Sequence, residues 1–342
     1  MKRVSSRTPV KAAGSITDVP GVEVGHAQNA EALTGCTVVL CRKGAVAGVD
    51  VRGGAPGTRE TDLLDPTNLV NRVHAVLLSG GSAFGLDAAS GVMRYLSERR
   101  IGFKTAAAVV PIVPAAILFD LNLGRKDVRP DAAMGHAACL AAHSGRVLEG
   151  NVGAGTGASV GKLFGTAFGM KSGLGTAAVR VGGMVVGAVV VVNSFGDVID
   201  PASGEIIAGL RSGRLGPIRV GGTKYLADTL AVMRTLPGRT ALGLAQRANT
   251  AIAVVATNVA LDKAGATKVA QMAHDGLARA IRPVHTLLDG DTVFALSTGR
   301  ARGNVTAVGT FAAEAVTQAV LRAVRSATSA GGLPGLAGPA RR

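Results

Sequence analysis

The sequence is poor in aromatic residues and lacks two kinds of segment. It has no tryptophan and only 3% aromatic residues, so it offers little for the stacking platforms that bind single-stranded nucleic acid. No apolar run approaches the ~18 residues of a membrane helix, and the basic start has no apolar signal core. We therefore expect a cytoplasmic protein with no membrane partner.

The cysteines are few. Cys36, Cys41 and Cys139 are odd in number and lack the spacing of a metal site. Such residues are typical of buried thiols in a reducing compartment. We expect neither a metal nor a cofactor.

Glycine, small apolar residues and positive charge are abundant. The 342 residues include 48 glycines and are 47% hydrophobic, a composition that favours the close packing of a layered α/β fold. The net charge of +15 comes from dispersed lysines and arginines without a recognition helix or zinc-finger spacing. We interpret it as a solvated surface and expect no nucleic-acid partner, with a basic nucleic-acid-binding protein kept as an alternative hypothesis.

Strand and helix patterns follow one another along the chain. Short strand-like runs at 37–41 and 45–51 leave only three residues between them, which predicts a hairpin. The apolar run 185–192 predicts a strand buried on both faces that ends at Asn193. Further strands are expected at 75–78 and 250–257, and helices at 86–99, 265–281 and 304–327.

Two glycine-rich segments resemble loops that bind anions. Gly80 and Gly81 lie between an expected strand and an expected helix, an arrangement that presents backbone N–H groups to an anion or oxyanion. The stretch 150–162 fails the P-loop pattern, because Thr156 and Leu163 replace residues that the pattern requires. It still supplies many backbone donors.

Asn249-Thr250 stands directly before the expected strand 250–257. A cut before Thr250 would place a free α-amine beside the threonine hydroxyl, and such an amine can activate a weak alcohol as a nucleophile. The preceding residues 203–249 are the least core-like internal segment, which suits an exposed connection. The dipeptide is short enough to occur by chance, so other motifs must support this interpretation.

Several segments together resemble the P1 family of peptidases, peptidase family S58, which includes DmpA-type L-aminopeptidase/D-esterases, β-peptidyl aminopeptidases and endo-type nylon-oligomer hydrolases. They cover roughly residues 14–325 in the family's order. The matching segments are 15–26, 50–58, 80–86, 153–157, 171–177, 192–193, 249–250, 273–279 and 289–295.

The resemblance implies a four-layer αββα sandwich of the DmpA/ornithine-acetyltransferase type, with an N-terminal-nucleophile-like site. It implies one catalytic domain, 14–328. The residues on either side predict a flexible basic arm, 1–13, and a flexible glycine- and proline-rich tail, 329–342. Cleavage between Asn249 and Thr250 would give an α chain of 249 residues and a β chain of the remaining 93. The expected assembly is a homo-oligomer, a tetramer of αβ units.

The resemblance also assigns roles. Thr250 would be the nucleophile and its α-amine the general base, while Asn193 would help to hold the oxyanion. Either Lys162 or Lys171 would lower the pKa of the amine, with Lys162 preferred. The acidic pair Asp289 and Asp291 would lie at the site, with capping of a turn as the alternative interpretation. Phe119 stands where several relatives have a tyrosine that donates to the oxyanion. Either a backbone N–H from the Gly80-Gly81 loop substitutes for that donor, or the enzyme is slow on peptide-like substrates.

The implied activity is hydrolysis of an amide or ester bond in a small peptide-like or ω-amino-acyl substrate. An acyltransferase of the related ornithine acetyltransferase fold is a second possibility, in which Thr250 would pass the acyl group to an amine.

Overall fold

The computed structural model describes residues 14–216, 218–244 and 249–338. The predicted basic arm 1–13 and residues 339–342 of the predicted tail lie outside these ranges. The nine strands that build the two main sheets are β1 Glu23–Asn29, β2 Thr34–Val51, β3 Thr58–Arg59, β4 Val73–Ser79, β5 Ala115–Ile117, β6 Leu174–Val181, β7 Met184–Asn193, β8 Thr250–Val259 and β9 Thr292–Ala301.

Six α-helices accompany these strands in the described ranges. They are α1 Ala88–Glu98, α2 Ala132–Leu140, α3 Thr229–Met233, α4 Leu236–Leu244, α5 Lys263–Ala280 and α6 Val305–Arg325. Short strands also occur at Phe103–Lys104, Val109–Val110, Ser159–Val160, Met170–Lys171, Asp197–Ile199, Ile206–Ala208, Gly213–Leu215, Ile218–Val220 and Ile281–Arg282. No helix among the described residues is both long enough and apolar enough to cross a membrane.

The long strand β2 belongs to both main sheets. Its first half pairs with β1 and β4, and its second half pairs with β9. The predicted hairpin is therefore wrong: residues 42–44 continue the strand through an irregularity between Leu40 and Ala45. Arg42 explains the difference, because its guanidinium binds Glu23 and the hydroxyl of Tyr95, partners from distant parts of the sequence.

The sheets have the strand orders β1–β2–β4–β5–β3 and β6–β7–β8–β9–β2. One apolar core lies between them, a second packs the first sheet against α1 and α2, and a third packs the other sheet against α5 and α6. The layers thus run helix, sheet, sheet, helix, as predicted. Burial of the alanine- and valine-rich strand faces is the main stabilising contribution.

The three cysteines lie in the interior of the protein. Cys36, Cys41 and Cys139 are buried and unpaired, as expected, and burial raises the pKa of Cys139 to about 12.

The stretch 329–338, predicted to be a flexible tail, instead folds back onto the domain. Leu333 is buried, and the carbonyl of Pro334 accepts a hydrogen bond from the Lys171 N–H at 2.9 Å.

Candidate active site

Thr250 begins a strand in the interior of the second sheet. The antiparallel pairing of β7 and β8 sets Thr250 opposite Asn193, and the two residues are 3% and 0% exposed. The register follows from the two apolar runs, since a shift of one residue would turn their side chains to the wrong faces. The structure therefore brings together two of the predicted site residues.

The carbonyl oxygen of Asn249 lies between two donors. The Thr250 hydroxyl donates to it, and so does the Gly290 backbone N–H, at 2.9 Å. The Asn249 side chain donates to the Leu288 carbonyl at 3.3 Å. Arg247 and Ala248, which precede this dipeptide, lie outside the described residues.

Gly290 is a site residue that our sequence analysis missed. A Cβ atom at this position would lie 2.5 Å from the Ala55 carbonyl oxygen and 3.0 Å from the Thr250 hydroxyl oxygen. Only glycine allows the turn to approach both groups so closely. The available signal was its position between Asp289 and Asp291, immediately before a buried strand.

Asn193 is held by Lys162 and by the loop around Ser159. The Lys162 Nζ donates to both the main-chain oxygen and the Oδ1 of Asn193, each at 2.9 Å, and the Ser159 N–H donates to the same Oδ1 at 3.1 Å. Burial lowers the pKa of Lys162 to about 7, while the charges of Asp289 and Asp120 oppose that shift. Lys162 is thus the lysine that contacts a predicted site residue.

Lys171 has different partners. Its Nζ donates to the carbonyl oxygens of Gly155, Ala158 and Ser172 at 3.1, 2.9 and 2.6 Å. Burial lowers the pKa of Lys171 to about 7, whereas the charge of Asp120 favours the charged form. These hydrogen bonds hold the glycine-rich loop together, and none of the three is to Thr250 or Asn193.

The two predicted aspartates flank Gly290 and have separate partners. Asp289 accepts from the Phe195 N–H at 3.2 Å and from Thr286, and burial, reinforced by Asp291, raises its pKa to about 6. Asp291 Oδ1 accepts from the Ala251 N–H at 2.6 Å. Asp291 is therefore bonded to the residue that follows Thr250.

The Gly80-Gly81 loop differs from expectation. The Gly80 N–H donates to the Gly35 carbonyl at 2.9 Å, and the Gly81 N–H donates to Asp120 at 2.8 Å. Both donors are engaged inside the fold, so the backbone donor on the Asn249 carbonyl is that of Gly290 instead. Phe119 contributes its main-chain oxygen, which accepts from Asn193 Nδ2 at 2.9 Å.

A cavity of about 420 Å³ opens beside Lys162 and Asn249. Leu163 and Phe164 from one loop, Leu215 from a short strand, and two residues of α4 form the apolar part of its wall. This size accommodates a small organic group. The described part of the chain contains no group of three or more His, Cys, Asp or Glu residues arranged to hold a metal ion.

Comparisons with known proteins give one consistent result. The model of the family described as Peptidase family S58 matches residues 14–337. An uncharacterized aminopeptidase of Mycobacterium leprae is 44% identical, over 94% of this chain and 92% of its own length. A 6-aminohexanoate-oligomer endohydrolase of Kocuria sp. is 35% identical, over 93% of this chain and 88% of its own length.

Solved structures support the fold. The L-aminopeptidase D-Ala-esterase/amidase of Ochrobactrum anthropi, described as a variant of the Ntn hydrolase fold, gives a TM-score of 0.70 at 22% identity and covers 94% of this chain and 88% of its own. A beta-aminopeptidase of Burkholderia sp. gives 0.67 at 23% identity and covers 98% and 93%. These matches confirm the predicted fold class.

Proposed function

The chain belongs to peptidase family S58 and is a hydrolase of peptide or amide bonds; we propose that it cleaves itself between Asn249 and Thr250 and then uses Thr250 as its nucleophile. The observation that carries the proposal is the pair of donors on the Asn249 carbonyl oxygen, the Thr250 hydroxyl and the Gly290 N–H. A nucleophile and an oxyanion donor meeting at one peptide bond is the arrangement that acyl transfer requires.

Self-cleavage would proceed by acyl transfer from nitrogen to oxygen. The Thr250 hydroxyl loses its proton and attacks the Asn249 carbonyl carbon, and the negative oxygen that forms is held by the Gly290 N–H. The C–N bond then breaks, the proton goes to the Thr250 nitrogen, and an ester joins the two residues. Water hydrolyses that ester, giving an Asn249 carboxylate and a free Thr250 hydroxyl and α-amine.

The same atoms would then act on substrate. The α-amine of Thr250 takes the hydroxyl proton during attack and later passes a proton to the leaving amine. The substrate carbonyl takes the place of the Asn249 carbonyl, so Gly290 serves both reactions. Lys162 fixes Asn193 opposite Thr250, and its charge when protonated disfavours a protonated α-amine nearby.

The substrate proposed is a small amino-acyl amide or peptide-like compound. The relatives called aminopeptidase and 6-aminohexanoate-oligomer endohydrolase, and the small cavity beside Asn249, support this class. A homo-oligomeric assembly and a cytoplasmic location stay predictions.

Denaturing electrophoresis and intact-mass measurement of the purified chain test the proposal. The 34.2 kDa chain should give fragments of about 25 and 9 kDa, the smaller beginning at Thr250. Thr250→Ala should stay intact, while Thr250→Ser should be cut. Thr257→Ala, on the same strand but bonded to Val185, is the matched control and should be cut normally. A wild-type chain that stays whole would refute the proposal. Increased product yield on adding a free amine would indicate acyl transfer in place of hydrolysis.

A further inference from the structure

Two histidines pack against each other beside Asp291, and their roles were not anticipated from the sequence. His274 of α5 has a fully buried side chain, and the side chain of His285, in the loop before β9, is 15% exposed. Their rings stand edge to face with centroids 4.7 Å apart. Burial lowers the pKa of His274 to about 4, so that residue is neutral at ordinary pH.

His285 is tied to the carboxylate of Asp291. Its backbone N–H donates to Asp291 Oδ2 at 3.0 Å, and its ring Nδ1 lies 2.7 Å from the same oxygen. A carboxylate only accepts, so the ring donates through Nδ1–H. The other oxygen, Oδ1, accepts from the Ala251 N–H at 2.6 Å. One carboxylate thus joins the histidine to the start of β8.

The remaining neighbours of the histidine pair come from β2 and the residue that follows it. His274 Nε2–H donates to the Asp50 carbonyl at 3.0 Å, and Arg52 donates to the Asp50 carboxylate at 2.9 Å. The charged or titratable groups around the histidine pair are therefore Asp291 and Asp289 in the turn before β9, Asp50 on β2, and Arg52, which directly follows β2. Among these contacts, only Asp291 connects His285 with the residue next to Thr250.

We infer that His285 is a positioning residue for Thr250: its ring N–H holds the Asp291 carboxylate against the Ala251 N–H and disperses its negative charge, so that the α-amine released at Thr250 loses its proton more readily. The inference rests on the proposed function, because it concerns the amine that self-cleavage would expose. His285 acts through Asp291, which accepts hydrogen bonds from both the His285 ring and the Ala251 N–H.

The direction of the effect follows from electrostatics. Asp291 Oδ1 lies 2.6 Å from the Ala251 nitrogen, and backbone geometry then places it no more than about 6 Å from the Thr250 nitrogen. A negative charge at that distance stabilises the protonated amine and raises its pKa. Removing the His285 donor would leave the carboxylate charge less dispersed, so the amine pKa should rise by about half a unit to one unit.

The backbone of His285 permits a clean test. Its φ of 56° lies in the left-handed region, which glycine and asparagine tolerate better than most residues. His285→Gly removes the ring without backbone strain, and His285→Asn keeps an N–H donor close to the position of Nδ1. Arg100→Gly is the matched control, because Arg100 is exposed and also has a left-handed φ, of 54°.

The experiment measures the pKa of the Thr250 α-amine in the cleaved protein by competitive labelling with acetic anhydride across pH, read by mass spectrometry. The acid limb of kcat/KM for L-alanine p-nitroanilide is the second readout. We expect an upward shift of both in His285→Gly, near-wild-type values in His285→Asn, and no change in Arg100→Gly. If His285→Gly does not fold, His285→Phe replaces it, because phenylalanine keeps an aromatic ring but has no N–H donor, and an upward shift is expected again.

Unshifted values in the histidine-lacking variant would overturn the inference, and so would His285→Asn shifting as far as His285→Gly. Both results are distinct from failure of the proposed function, in which the wild-type chain itself would not expose Thr250. A purely structural role for His285 would lower stability without moving the amine pKa.

Discussion

Replacing Gly290 by alanine tests the chemistry proposed at Asn249-Thr250. Gly290 does not have a left-handed backbone, so alanine meets no penalty from φ. The new methyl would, however, lie 2.5 Å from the Ala55 carbonyl oxygen and 3.0 Å from the Thr250 hydroxyl oxygen. The substitution therefore disturbs the oxyanion donor without removing any functional group.

The size of the effect can be worked out from these distances. A carbon and a carbonyl oxygen do not approach closer than about 3.3 Å in ordinary contacts, so the turn must open by about 0.8 Å. The hydrogen bond from Gly290 N–H to the Asn249 oxygen, now 2.9 Å, would then reach or pass the usual limit. Loss of an oxyanion donor costs about 3 kcal/mol of transition-state stabilisation, which corresponds to a rate about 100-fold lower.

The assay follows cleavage of freshly purified chain over time by denaturing electrophoresis and intact mass. Gly183→Ala is the control, because a Cβ at Gly183 meets no atom within 4 Å. We expect Gly183→Ala to be cut at the wild-type rate and Gly290→Ala about 100-fold more slowly. Cleavage of folded Gly290→Ala within about threefold of the wild-type rate would refute the role of this N–H.

Two further predictions separate the buried lysines and test a buried carboxylate. Lys171→Met should lower the free energy of unfolding by about 3 kcal/mol or more, since three buried carbonyls lose their donor. Lys162→Met should slow cleavage, which the gel assay measures. It should also reduce the rise in unfolding free energy between about pH 7 and 10, because the folded pKa of Lys162 lies below its unfolded value. Denaturant titrations across pH measure this change. Asp197→Asn should destabilise the fold by about 1–3 kcal/mol, since one carboxylate oxygen accepts from the Thr229 N–H and the other from Leu210 and the Thr229 hydroxyl. Burial raises the pKa of Asp197 to about 6, so the wild-type advantage should shrink as pH rises from about 4 to 6, and an advantage that grows over that range would contradict this account.

Elements with strong local patterns were predicted well from the sequence. The runs that form β7 and β8 are apolar at nearly every position, and α5 and α6 have clear helical spacing. The continuous strand β2 was missed, because Arg42, Lys43 and Gly44 look like a turn when read locally. Partners of Arg42 that are remote in sequence decide the outcome, and a local pattern does not contain them.

The same limit applies to the site. Asn193 and Thr250 could be proposed because each stands at the end of an apolar run. The roles of Gly290 and His285 depend on a close backbone approach, on a left-handed φ and on the direction of one carboxylate. These features follow from packing between distant segments, so neither residue type nor spacing revealed them.

Topology explains why the parts of the site meet at one edge of the second sheet. β7 and β8 are antiparallel, so the end of β7 adjoins the start of β8. β8 and β9 are parallel, so their starts adjoin, and the turn before β9 brings Gly290 and Asp291 to Thr250. A parallel pair needs a crossover, which α5 supplies, and that helix carries His274.

The proposed cut falls where the sheet tolerates it. Thr250 is the first residue of β8, and Asn249 joins the fold mainly through the turn at Asp289 and Gly290, so cleavage would leave the pairings of β8 with β7 and β9 in place. β8 would remain buried between a strand of the first fragment and a strand of the second. The same ladder that places the nucleophile would therefore hold the two fragments together after the bond is broken.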